Sequence, residues 1–306
     1  MTRVEHRIEL EPYVAHASSF GAPRSDGSNV VLVSHALTGT HRLDSWWPGI
    51  LGREALFDPE SQCIICIEIE SHAEAPPLTI ERLVALQAEA LSSLGITHLA
   101  CVIGASMGGM QALQWALDSR VERSIVIASA DYQHTDAIAW NAVARDAISL
   151  DPTVGLGIAR KLATLTYKSP ELLDRRHGRQ GDRNAAYRYD VEGYLALAAD
   201  RLIARMTPAE YLARLDAMDA FDLRSELRRA RSAQLHFIGI SSDRLVPPDF
   251  VDESARRARA AGWHATYDEL ESDHGHDAFL AEPNALRRVL EPYLGSLRAR
   301  GDLTAV

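Results

Sequence analysis

A short apolar run, Leu99–Ile103, passes through Gly104-Ala-Ser106-Met-Gly108-Gly109 directly into a helical segment, and few folds accept that junction. When a strand turns into a helix within one or two residues the backbones come so close that only small side chains fit beside the bend. The residue at the apex is held exposed at the end of the strand. Here it is a serine, with the following helix expected from near Met107 through Gln111–Leu117.

The rest of the first ~130 residues repeats the strand-then-helix pattern expected of a mostly parallel sheet. Val30–Ser34, Ile64–Ile69 and Ile125–Ala128 read as buried strands, and Thr79–Leu94 as a helix with Thr79 as N-cap and Gly95 at its end. From His134 to Arg231 the β-like runs stop. Ala137–Leu150, Leu156–Thr166, Val191–Met206 and Ala209–Met218 read as four helices bounded by Pro152, Pro170 and Pro208, and His177–Arg183 reads as an exposed loop. Strand signals return at Leu235–Ile240 and Ala265–Leu270, separated by a helix at Phe250–Ala261 and followed by another at Asn284–Arg298. The expected organisation is a sheet domain in two pieces, 1–133 and 232–306, interrupted by an all-helical insertion, 134–231.

A serine hydroxyl is a weak nucleophile at neutral pH and needs a base within hydrogen-bond reach, itself oriented by a carboxylate. The strand–serine–helix turn is the nucleophile elbow of the α/β-hydrolase fold, on which the partners follow in the order Ser, Asp or Glu, His. Asp243 stands just after the strand Leu235–Ile240, whereas Asp249 and Asp252 lie further from the strand end. After the last strand, Ser272-Asp-His274-Gly-His276-Asp277 offers two histidines, and position alone does not choose between them; His264 opens a strand. An oxyanion hole would take the N–H of Met107, at the helix start, and that of Leu37, in the loop after Val30–Ser34.

Composition removes other classes. A formal charge of −10 argues against general nucleic-acid binding, which needs a basic surface. No run is long enough for a membrane span, and the N-terminal residues lack a secretion signal, so the cytoplasm is the expected compartment. Cys63, Cys66 and Cys101 all lie in apolar runs and read as reduced core residues rather than a disulfide or metal site.

Several stretches together resemble the homoserine O-acyltransferase family. They are Val14-Ala-His-Ala-Ser-Ser-Phe-Gly21, Ser34-His-Ala-Leu-Thr-Gly39, Trp46-Trp-Pro-Gly49, Gly104-Ala-Ser-Met-Gly-Gly-Met-Gln-Ala-Leu-Gln-Trp115, Asp219-Ala-Phe-Asp222 and His274-Gly-His-Asp-Ala-Phe-Leu280. The resemblance implies that His276, the second histidine of its stretch, is the base. It also implies that Asp277 holds the ammonium of the substrate and Arg205 meets its carboxylate. One departure stands out: the family's asparagine-led, glycine-rich loop is replaced between Ile69 and Pro76 by Glu70-Ser-His-Ala-Glu-Ala75.

The activity implied is transfer of an acyl group from acyl-CoA, acetyl-CoA being favoured over succinyl-CoA, through Ser106 to the hydroxyl of L-homoserine, as in methionine biosynthesis. No bound cofactor or metal is needed, and the small-molecule substrates would be handled by a homodimer built through the helical insertion. Succinyl transfer, serine as acceptor, or hydrolysis of an acyl ester or thioester by the same triad are the alternatives.

Overall fold

The computed structural model describes residues 2–72, 75–182 and 186–299, with side chains described as far as residue 294. Eight strands form one sheet: β1 (Arg3–Leu10), β2 (Tyr13–Phe20), β3 (Val30–Ser34), β4 (Cys63–Ser71), β5 (Cys101–Ala105), β6 (Arg123–Ile127), β7 (Gln234–Ile240) and β8 (Ala265–Leu270). Their order is β1-β2-β4-β3-β5-β6-β7-β8; the first two are antiparallel to their neighbours and all pairings from β4 to β8 are parallel.

The helices are α1 (Leu43–Trp46), α2 (Ile80–Ser93), α3 (Met107–Trp115), α4 (Thr135–Leu150), α5 (Pro152–Tyr167), α6 (Pro170–His177), α7 (Asp190–Ile203), α8 (Pro208–Asp219), α9 (Pro248–Ala260), α10 (Ala278–Ala281) and α11 (Pro283–Ala299). Parallel strands buried on both faces need apolar side chains on both, and β3 is buried throughout. Val30 and Leu32 face the core shared with α2, α3 and α9, while Val31 and Val33 face the one shared with α1, α10 and α11. Cys63 and Cys66 fall on opposite faces, and the three thiols are free and buried. Burial pushes Cys63 to about 11 and Cys101 to about 12, so neither is a thiolate at neutral pH.

Helices α4–α8 lie between β6 and β7 in the chain. Pro152, Pro170 and Pro208 occupy first-turn positions, where a missing N–H costs no hydrogen bond, and Asp151, Ser169 and Thr207 cap the same helices. Gly155 lets α5 lie close against α4, since a Cβ there would come within 2.1 Å of the Ala147 carbonyl oxygen.

Three sequence expectations need correction. The N-terminal hairpin β1–β2 was not expected as strands. Residues 170–177 form α6, and His177 ends that helix buried, with Nδ1 2.6 Å from Asp190 Oδ2, rather than opening an exposed loop; Arg183, the other end of that expected loop, lies outside the described residues. Of the segment that stands in place of the family's glycine-rich loop, Glu70 and Ser71 extend β4, while Ala73 and Glu74 lie outside the described residues. Among the described residues no helix is long and apolar enough to cross a membrane.

Candidate active site

The ends of β5, β7 and β8 deliver Ser106, Asp243 and His276 to the same edge of the sheet. Ser106 adopts φ 56° and ψ −125°, a backbone state that a non-glycine residue holds only when its surroundings enforce it. Three close approaches do so. A Cβ on Gly104 would sit 2.0 Å from the Gly108 oxygen, one on Gly108 2.3 Å from the Ser34 oxygen, and one on Gly109 2.5 Å from Ser129 Cβ. The strand, the turn and α3 are therefore interlocked, and the Met107 N–H is left at the first position of a helix, where no intrahelical acceptor exists.

Asp243 follows β7 and is buried; its Oδ1 accepts from the Leu245 and Val246 N–H groups, which aims Oδ2 at His276 Nδ1, 2.6 Å away. His276 lies in the short 3₁₀ turn Gly275–Asp277, with its ring 5.5 Å from that of Tyr167 and 6.2 Å from that of Phe279. Burial disfavours the imidazolium, but the charge and hydrogen bond of Asp243 outweigh it and raise the His276 pKa. Its Nε2 is buried without a hydrogen-bond partner, so the link to Ser106 Oγ is not closed. Catalytic contacts commonly tighten only when substrate binds. The competing His274 sits 3.0 Å from Glu282 instead.

The loop after β3 is held from the helical side. Arg214 of α8 donates through Nη1 to the carbonyls of Leu37 and Gly39, at 2.7 and 3.0 Å, and through Nη2 to Glu68 Oε1 at 2.8 Å. Arg205, after α7, donates to the Thr38 carbonyl between them at 2.7 Å. The Ala36 carbonyl accepts from the Gly39 N–H and approaches His35 Nδ1. Because C=O and N–H point in opposite directions across a trans peptide, tying down these carbonyls also fixes where the Leu37 and Thr38 N–H groups point. Burial opposes ionisation of Glu68, yet hydrogen bonds from His41 and the charge of Arg214 hold it at about 2.

Asp277, next to His276, is engaged with Lys168 Nζ at 2.8 Å. Asp273, His274 and Glu282 place ligand-type atoms within 4.8 Å of one another, but Arg175 is paired with Asp273 and Ser272 donates to Glu282.

A family model described as alpha/beta hydrolase fold matches residues 29–283. A homoserine O-acetyltransferase of Deinococcus radiodurans is 36% identical over 91% of this chain and 85% of its own length. The chain belongs to the homoserine O-acetyltransferase family. Two solved structures share its fold at 19% identity: esterase E22, with a TM-score of 0.85 over 96% of this chain and 100% of that one, and the homoserine O-acetyltransferase of Bacillus anthracis, with 0.82 over 97% and 96%.

In this member of the homoserine O-acetyltransferase family Ser106 opens into a pocket between the sheet edge and α4, α5 and α8. Leu37, Met110, Trp140, Leu162, Tyr211 and Phe250 give it a largely apolar wall with Gln133, His134 and Asn141 as polar members, and among the described residues no arginine, lysine or carboxylate lines it. Arg205 and Asp277, the residues implied for an amino-acid substrate, are therefore outside this pocket. Burial and the charges of Arg160 and Arg214 lower the Arg205 pKa, so the three guanidiniums crowd one side of the site. Sequence reasoning missed Arg214, Glu68 and Lys168. The capping box Thr207–Glu210 fixes the start of α8, but nothing in the local sequence marks Arg214 as different from the chain's other helical arginines.

Proposed function

We propose that this chain is an acyl-CoA-dependent O-acyltransferase that acylates the hydroxyl of L-homoserine by a double displacement through Ser106. The observation that carries the reading is the buried Asp243–His276 pair at the sheet edge that also presents the strained Ser106, in a chain 36% identical to a homoserine O-acetyltransferase.

His276 Nε2 takes the proton of Ser106 Oγ as the oxygen attacks the thioester carbonyl. The oxyanion is met by the N–H groups of Leu37 and Met107; collapse breaks the C–S bond, and His276 returns the proton to the departing CoA thiolate. The acceptor hydroxyl then gives its proton to His276 and attacks the acyl-serine carbonyl. The C–O bond to Ser106 breaks and the proton goes back to Oγ. Arg205 and Asp277 would hold the acceptor's carboxylate and ammonium by charge-assisted hydrogen bonds.

The pocket wall favours acetyl over succinyl, because among the described residues a second carboxylate would meet no arginine or lysine there. Residues 134–231 act as a lid in this reading, restricting water so that the acyl-enzyme reacts with an alcohol. Exposed apolar residues on α4, α5 and α7, among them Trp140, Val143, Leu150, Val154 and Leu197, support a homodimer formed through the lid. Three buried free thiols suit the reducing cytoplasm, where acyl-CoA is made. The same uncharged wall favours one second reading, hydrolysis of small acyl esters.

Free-thiol release from acetyl-CoA and succinyl-CoA, each with L-homoserine, L-serine or no acceptor, tests the proposal. Release that requires acetyl-CoA and homoserine together supports it; equal release without acceptor transfers the assignment to a hydrolase.

A further inference from the structure

Lys168 stands at the end of α5, immediately after Tyr167, whose ring lies against that of His276. Its ammonium is 2.8 Å from Asp277 Oδ2, and the two side chains are only 12% and 23% exposed. The chain contains two lysines, Lys161 and Lys168, and otherwise draws its positive side chains from arginine. At this one sheltered carboxylate, adjacent to the candidate base, the counter-ion is thus a primary ammonium rather than a planar guanidinium. A lysine ammonium is a compact point charge with three donors, the same functional group as the amine of an α-amino acid. Two such groups converging on one carboxylate repel each other, so Lys168 on Asp277 Oδ2 weakens the hold of this carboxylate on a substrate ammonium.

We propose that Lys168 is a specificity-determining residue that occupies the acceptor-ammonium subsite on Asp277, so that an amino-acid acceptor binds by displacing it. This inference rests on the reading of the site as an acyltransferase acting on homoserine. It explains how a site whose pocket carries no carboxylate among the described residues, but whose base is flanked by one, can discriminate among alcohols: Asp277 is neutralised until a competing ammonium arrives.

The exchange also protects the base. The groups around His276 are Asp243 from the loop after β7, Asp277 from its own turn, and Lys168 and Tyr167 from α5. Burial lowers the proton affinity of His276, the two carboxylates raise it and Lys168 lowers it. A substrate ammonium that replaces the lysine brings the same charge to the same carboxylate, leaving the balance intact.

The test uses the full chain as wild type, Lys168→Met and Lys168→Arg, with Lys168→Gln standing in if the methionine variant does not fold. Steady-state acetyl transfer from acetyl-CoA is measured to L-homoserine and to 4-hydroxybutyrate, which lacks the ammonium. The acylation burst from p-nitrophenyl acetate is followed against pH in parallel. Removing the internal competitor should lower KM for homoserine about 3- to 10-fold, the scale of a partly exposed ion pair, with kcat changing less than KM. KM for 4-hydroxybutyrate should not fall, and the acid limb of the acylation burst should move to higher pH, because an unneutralised Asp277 raises His276. Lys168→Arg should keep the wild-type limb. A homoserine KM that rises or stays constant in Lys168→Met, with an unmoved acid limb, overturns the proposal and leaves Lys168 a structural tether. A wild-type chain that gives no acylation burst overturns the acyltransfer reading itself, and the proposal with it.

Discussion

Replacing Arg214 by methionine should damage catalysis from outside the triad. One guanidinium, 15% exposed, serves the carbonyls of Leu37 and Gly39 and the carboxylate of Glu68. Methionine fills much of the volume but strands all three acceptors, one of them charged, and breaking a largely buried pair costs about 3 kcal/mol or more. The carboxyl gives a similar scale: Glu68 is held at about 2 instead of 4.5, equivalent to about 3 kcal/mol in favour of its ionised form, of which Arg214 supplies a part. For a chain of 306 residues, with about 0.64 kcal/mol/K of unfolding entropy, a loss of about 3 kcal/mol lowers Tm by about 5 °C. The catalytic consequence is separate. Arg214 holds the peptides that carry the Thr38 and Thr40 N–H groups, next to the Leu37 N–H proposed for the oxyanion hole; loss of one such donor typically costs ~10²- to 10³-fold, so a loop loosened but not emptied of donors should cost about 10- to 100-fold in kcat/KM. Acylation by p-nitrophenyl acetate is the assay, since it needs Ser106 and the oxyanion hole but no acceptor, with thermal unfolding alongside. Arg214→Lys should recover only part of the loss, because one ammonium cannot straddle two carbonyls and a carboxylate as a planar fork does. A methionine variant with the lowered Tm but kcat/KM within about twofold of wild type would refute the idea that the helical segment aims the oxyanion loop.

Ser106→Ala should reduce turnover by about 10⁴- to 10⁶-fold at unchanged Tm; a loss below about tenfold would remove it as nucleophile. In the proposed mechanism His276 works as a base only when neutral, and its pKa is raised, so kcat/KM should fall on the acid side with a midpoint above 6.5, and Asp243→Asn should move that midpoint down. Glu68, with its depressed pKa, contributes stability that is full above about 4.5 and lost as the pH falls towards 2, so the stability of Glu68→Gln should change less with pH in that window, as read by denaturant unfolding. Gly104→Ala, whose new methyl would stand 2.0 Å from the Gly108 oxygen, should yield little folded protein by near-ultraviolet circular dichroism.

The parallel strands were legible because burial on both faces demands uninterrupted apolar runs, and β3 to β7 carry them. The N-terminal hairpin lacks that signal for two reasons. β1 is an edge strand whose outward positions carry Arg3, Glu5, Arg7 and Glu9, which reads first as charge; β2 is buried between β1 and β4 but is built from Ala15, His16, Ala17, Ser18 and Ser19, side chains too small or polar to announce a strand. α6 has eight residues, four of them charged, and only Leu172 and His177 are buried, so its helical character comes from Ser169 and Pro170 at its start and from docking rather than from an apolar face.

The same distinction runs through the site. Ser106 could be proposed because a local strained turn is written in the glycines at 104 and 108, and Asp243 because strand ends in a parallel sheet converge on one edge; position left His274 and His276 level, and only the family resemblance singled out His276. Arg214 and Glu68 stand 146 residues apart, and Lys168 meets Asp277 across more than a hundred. Such pairs depend on how the helices between β6 and β7 come down on the sheet, which no local spacing encodes. Those contacts also bear on what the site selects. A triad with an elbow is equally suited to water or an alcohol, so discrimination has to come from groups that hold the acceptor and close the loop above it. Arg205 on Thr38, Arg214 on Leu37 and Gly39, and Lys168 on Asp277 all enter from the helical segment, while Asp277 itself, proposed to hold the acceptor's ammonium, comes from the turn after β8. Changes in acceptor preference should therefore map to α5, the end of α7, α8 and Asp277, while changes in the acylation chemistry itself map to the sheet.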